Sequence, residues 1–116
     1  MIDALRQAGF LAVEAEGGTI HARLWSGSVD FTATRAGDQW QLALHWPVRA
    51  SKAQRESWNA SHPHALMDIH QGETRLLMRV PCDSLHALHL WAALAEQAVA
   101  RLTRWRRMQR QPGEGY

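Results

Sequence analysis

Ser57-Trp58-Asn59-Ala60-Ser61-His62-Pro63-His64 leads into an apolar-rich run from Ala65 to His70, the pair Gln71-Gly72, and a second run from Glu73 to Val80. Two short runs around a glycine turn read as a β-hairpin. Pro63 stops the segment before it and Pro81 closes it, because proline supplies no amide to a helix or a ladder. Asp83 or Ser84 then caps a long helix. Along that helix Leu85, Leu88, Trp91, Ala95, Ala98, Val99, Leu102 and Trp105 make one apolar stripe, opposite Glu96, Gln97, Arg104 and Arg107. Such a stripe needs a sheet to lie on.

The sheet is legible upstream. Ile2, Leu5 and Ala8 have helical spacing and Gly9 ends a short first helix. Phe10 to Glu14 reads as a strand, and Glu16-Gly17-Gly18 as a turn into a second strand from Thr19 to Trp25. Ser26-Gly27 turns into a third strand, where Val29, Phe31 and Ala33 alternate with Asp30, Thr32 and Thr34. Ala36-Gly37-Asp38 turns into the clearest one. There Trp40, Leu42, Leu44 and Trp46 are expected to face inward, and Gln39, Gln41, Ala43 and His45 outward. Ser51 and Gln54 form a capping box for a helix from about Lys52 to Asn59.

The order α-β-β-β-β-α-β-β-α, with strands joined by short turns, implies an α+β fold. An antiparallel β-sheet carries its helices packed on one face. At 116 residues, with 46% hydrophobic and 21% charged residues, the chain is one ordered domain, expected over residues 1–110 with a flexible tail over 111–116. Cys82 is the only cysteine, so no internal disulfide forms. Met1 to Gly9 shows no basic run before an apolar block, and no apolar run approaches a membrane span. A cytoplasmic location is the expectation.

The aromatic–Asn pair Trp58-Asn59, the hairpin Ala65-Leu66-Met67-Asp68-Ile69-His70-Gln71-Gly72-Glu73-Thr74-Arg75-Leu76, the final helix and the short first helix ending Ala8-Gly9-Phe10 resemble the YbjN family of small bacterial sensory-transduction regulators. The resemblance extends loosely over most of the chain. It implies a type III secretion chaperone-like fold and a regulatory or chaperone-like protein: non-enzymatic, homodimeric, and binding a client polypeptide through apolar surface. Such chaperones are usually acidic, whereas this chain turns basic at its end. Fold likeness alone does not fix function.

Two sets of residues carry the binding expectations. Trp25 and Trp58 have no inward assignment in the strand pattern, and exposed aromatics are enriched in protein interfaces. Sealing the second helix onto the sheet is the other reading of Trp58. The second set is Arg101, Arg104, Arg106, Arg107 and Arg110. The last twenty residues carry a net +4, while the preceding ninety-six carry −2. Arg with Trp105 among them suits nucleic acid or an anionic surface. Cations also favour a helix C-terminus, and that structural reading is preferred here.

No catalytic signature is present: no phosphate loop, nucleophile elbow or metalloprotease helix. His62, His64, His70 and His45 match no metal-ligand spacing, so no metal or other cofactor is expected. Cys82, His86 and His89 share a helix face, but Asp83 beside Cys82 disfavours a thiolate.

Overall fold

The structure, a computed structural model, describes residues 1–27, 29–81 and 84–109. The elements follow the expected order: α1 (Ile2–Gln7), β1 (Leu11–Glu16), β2 (Thr19–Arg23), β3 (Asp30–Ala36), β4 (Gln39–Trp46), α2 (Lys52–Ser61), β5 (Leu66–His70), β6 (Glu73–Pro81) and α3 (Leu85–Gln109). The six strands form one antiparallel sheet in the order β1-β2-β3-β4-β6-β5. Thus β6 pairs with β4, and β5 becomes the edge.

Period-two patterning puts Ile20, Ala22, Phe31, Ala33, Leu42, Leu44, Leu76, Met78 and Val80 into one core. The α3 stripe closes over it: Leu88, Trp91, Ala95, Ala98 and Leu102 are fully buried, and Phe31 meets Trp91 edge to face at 5.5 Å between ring centroids. Ser84 caps α3, its Oγ accepting from Ala87 N–H at 3.2 Å. The alternative cap Asp83, with Cys82, lies outside the described residues, as do Arg110 and the segment 111–116. Ser51 and Gln54 make both bonds of the expected capping box on α2. Among the described residues no helix is long and apolar enough to cross a membrane.

Three elements differ most from the sequence reading. The first strand starts at Leu11 and runs to Glu16, with a register shift between Leu11 and Glu14 and Ala12 at φ 50°. A bulge of this kind also blunts an edge strand against unwanted pairing. The second strand stops at Arg23, two residues early. Leu24 N–H bonds to Val29 O, and Gly27 N–H to Leu24 O, so Trp25 belongs to a turn. The second helix runs to Ser61, two residues past its expected end.

Gly9 connects two of these features. Its φ is +93°, and a Cβ there would sit 3.4 Å from Trp25 Nε1. An L side chain would be strained in that backbone and would press on the indole.

The unit that positions the edge hairpin is Trp58-Asn59. Trp58 is completely buried, and its Nε1–H donates to Ala65 O at 2.8 Å. Asn59 donates from Nδ2 to Met67 O at 3.0 Å and accepts at Oδ1 from Met67 N–H at 2.7 Å. One side chain therefore satisfies both groups that Met67 turns away from β6, as a further strand would. On β6, Thr74 is the buried polar residue; its Oγ1 accepts from Ala50 N–H and donates to Val48 O, tying the β4–α2 connection to the sheet.

Asn59→Ala should leave both Met67 groups unpaired and lower stability by about 1–3 kcal/mol. The check is urea unfolding, which should show a lower midpoint at unchanged slope. An unchanged midpoint would remove Asn59 from this role.

Candidate interaction surfaces

All three helices contribute to the one core, Leu5 from α1, Trp58 from α2 and Trp91 from α3, and among the described residues no helix covers the other side of the sheet. Strand register arranges that open face in transverse rows. One row runs Glu14, His21, Thr32, Ala43, Leu77, Leu66 from β1 to β5. The next, from β1 to β6, is Glu16, Thr19, Thr34, Gln41, Arg79. On the far side of the first row, Arg23 pairs with Asp30, and His45, Arg75 and Asp68 stand side by side.

The first row is the least polar. Ala43 keeps only 8% of its surface accessible although it points to the open side, Leu77 is half-buried, and Leu66 is 50% exposed. Two separate depressions lie along it, one toward each end. One, of about 390 Å³, includes His21, Thr32, Ala43 and His45 in its lining. The other, of about 620 Å³, lies over β6 and β5 between Leu66, Leu77, Arg79 and Asp68, with Pro63 and His64 as a wall. Both fall within the size range of ordinary ligand pockets. From β2 to β5 the row crosses four strand spacings, roughly 19 Å, the reach of about six extended residues.

Two ion pairs order part of the charge on this face. Arg23 Nε donates to Asp30 Oδ1 at 2.7 Å. Arg75 grips Asp68 with two bonds, Nε to Oδ1 at 3.0 Å and Nη2 to Oδ2 at 2.8 Å. Those bonds hold the Asp68 carboxyl below its ordinary range, against an opposing push from partial burial, and they raise the Arg75 guanidinium. The rings of His45 and His70 lie 5.9 Å apart beside this pair.

Of the two tryptophans expected at an interface, the structure keeps one exposed. Trp58 offers no surface and is corrected to an interior residue: its ring lies between His62, stacked at 3.7 Å, and the Arg101 guanidinium, 5.1 Å from the ring centroid. Helix α2 turns it under the sheet edge. Trp25 is 45% exposed yet held in place. Its Nε1–H donates to Ala8 O at 3.0 Å, and its ring packs on Phe10 and against His89. The early end of β2 swings this indole off the strand's outward face toward α1 and α3. Leu11, also 45% exposed, lies beside Gly27 in the same turn.

The arginines of α3 are not equivalent. Among the described residues Arg101, Arg104, Arg106 and Arg107 have no carboxylate within 4 Å. A notch of about 350 Å³ between α2 and α3 is lined by Ser57, Arg101, Arg104 and Trp105. Arg106 and Arg107 stand outside it. The histidines read as possible ligands are dispersed: His62 on Trp58, His64 in the groove wall, His45 beside His70. Among the described residues no three His, Cys, Asp or Glu side chains converge on a metal position.

Sequence reasoning did not find the open-face row, because Leu77 meets Ala43 only when β6 inserts between β4 and β5. Comparison of the chain with protein-family models, with curated proteins and with solved structures found no match.

The depressed Asp68 carboxyl predicts a pH dependence. A group whose folded pKa lies below its unfolded value contributes stability above the unfolded value, about 3.9. That contribution disappears as pH falls through the lower folded value. Asp68→Asn should therefore cost up to about 1 kcal/mol at pH 7, modest because the pair is partly exposed. Urea midpoints of the two proteins should converge below about pH 4; a gap that widens in acid contradicts the assignment.

Proposed function

We propose that this chain is a non-enzymatic, chaperone-like or regulatory interaction module that holds an extended segment of a client polypeptide across its uncovered sheet face. The observation that carries this reading is the transverse row Thr32–Ala43–Leu77–Leu66, the least polar on the open face, which lies between two polar rows and carries a depression toward each end. This row is the channel for the client. An extended peptide turns alternate side chains to opposite sides. Apolar ones would enter the channel, while the flanking Gln41, Arg79, His45 and Arg75 would meet its polar groups. A face this wide and shallow suits a peptide better than a small substrate enclosed from water.

The resemblance of these segments to the YbjN family, and the type III secretion chaperone-like fold that the resemblance implies, motivate the rest: a cytoplasmic bacterial protein acting as a homodimer. The exposed pair Trp25 and Leu11 supplies the surface for self-association. A tryptophan whose N–H is already bonded within its own chain contributes apolar area at little further ordering cost, which is what an interface anchor requires.

Light scattering on the purified protein at low and high salt should report a dimer at both. Leu11→Glu with Trp25→Ala should shift it to monomer, while Leu77→Glu should leave it dimeric. Selection of a displayed twelve-residue peptide library should enrich sequences with alternating apolar residues on the wild type and not on Leu77→Glu. A monomer at both salts sinks the dimer. Enrichment that is absent, or indifferent to Leu77→Glu, sinks the channel.

A further inference from the structure

The notch between α2 and α3 has a chemistry that the open sheet face lacks. Among the described residues its lining is Arg101, Arg104, Ser57 and Trp105, with no acidic side chain. The nearest carboxylate along α2, Glu56, is engaged by Lys52 at 3.9 Å. On α3 the nearest preceding one, Glu96, accepts from Ser26 N–H at 3.2 Å.

Arg101 is the informative member. It is half-buried, yet among the described residues no acid neutralises it, and its recorded partner is the π face of Trp58 at 5.1 Å. Cation–π contact fixes a guanidinium without consuming its charge. Trp58 is itself immobile, held by its bond to Ala65 O and by the stacked His62. The guanidinium is therefore pre-positioned, and its planar fork of donors matches phosphoryl oxygens. Arg104 lies three residues on, so both side chains leave neighbouring positions on one helix surface. Trp105 provides a flat apolar wall, and Ser57 presents a hydroxyl from α2.

We infer that this notch binds a single phosphoryl dianion, with Arg101 and Arg104 as its two cationic donors, Ser57 as a neutral one and Trp105 against the group that carries the phosphate. Two positive charges converging on one small site match the charge of a phosphate monoester, and the volume of about 350 Å³ accommodates the phosphate with a small organic substituent. A nucleic-acid backbone presents single charges in series and needs a line of cations. Arg106 and Arg107 lie outside the notch and do not extend it.

The test follows the Trp105 and arginine side-chain N–H signals by NMR during titration with phosphate, pyrophosphate and phenyl phosphate, each against sodium chloride at matched ionic strength. The expected result is a saturable, one-to-one perturbation by all three, strongest for phenyl phosphate and absent with chloride. Arg104→Gln, an exposed and fold-neutral change, should weaken binding at least tenfold. Arg101→Gln should abolish it, with the unfolding midpoint measured alongside to separate site from stability.

A response reproduced by chloride, or one that Arg104→Gln leaves unchanged, overturns the proposal. So does tight, steeply salt-dependent binding of a single-stranded oligonucleotide without terminal phosphates when phenyl phosphate gives no response. That result would give the cluster to nucleic acid instead. Leu77→Glu should bind phenyl phosphate as the wild type does, so the notch and the sheet channel stand or fall separately.

Discussion

The clamp formed by Trp58 and Asn59 is the constraint on which the arrangement of this molecule depends. An edge strand of five residues has half its backbone groups turned outward, and those of Met67 are met by a single carboxamide from α2. One residue earlier in α2, the Trp58 side chain is buried without remainder and bonded to Ala65, just ahead of the strand. Because both residues are adjacent in one helix, α2 cannot shift without releasing β5. Arg101 on the opposite face of the Trp58 ring draws α3 into the same contact. Packing, hydrogen bonding and cation–π attraction thus act at one point where two helices and a strand meet.

The helices α1 and α3 bury their apolar sides in the same core as Trp58. The sheet is left with two chemistries, one per face, and strand alternation keeps them separate. The buried face is not free of cost: the indole N–H groups of Trp40, Trp46 and Trp91 find no acceptor among the described residues. Each such group forfeits the hydrogen bonds it makes to water, a loss of about 1–3 kcal/mol. Large apolar area offsets it, since aromatic side chains bury more surface than any alternative. On the open face the balance is reversed. Its apolar members are few and aligned, and ion pairs such as Arg75–Asp68 hold the neighbouring long side chains in defined positions instead of letting them fold over the channel.

Much of the architecture was legible because it rests on local rules. The alternation of Trp40, Leu42, Leu44 and Trp46, the Ser51–Gln54 capping box and the stripe of α3 each follow from one segment's own periodicity or end chemistry. The misread features depend on contacts between distant segments. The bulge at Ala12 and the early end of β2 answer to the turn that carries Trp25 to Ala8, Phe10 and His89, seventeen or more residues away in all but one case. Trp58 had two readings because a helix of ten residues with few apolar positions does not declare its buried side. The channel was invisible for the strongest reason. Strand order decides it, and nothing in β4, β5 or β6 alone states that the last of them pairs on both edges.

The same distinction between local and tertiary information bears on the arginines near the end of α3. Counted along the chain they are one basic cluster, and a helix C-terminus accounts for all of them equally through its dipole. Placed in the fold they divide by what surrounds each. Arg101 is immobilised on an aromatic face; Arg104 shares a notch with it; Arg106 and Arg107 lie beyond. A dipole effect depends on distance from the helix end and should be largest for Arg106 and Arg107, in the last turn. It gives no reason for Arg101, about two turns back, to be half-buried with no acid beside it among the described residues. Desolvating a guanidinium is costly unless something repays it. The Trp58 ring repays part of that cost, and an anion entering the notch would supply more; Arg106 is half-buried as well but lies outside the notch, so it is Arg101, fixed on an aromatic face at the notch, whose charge points to a ligand.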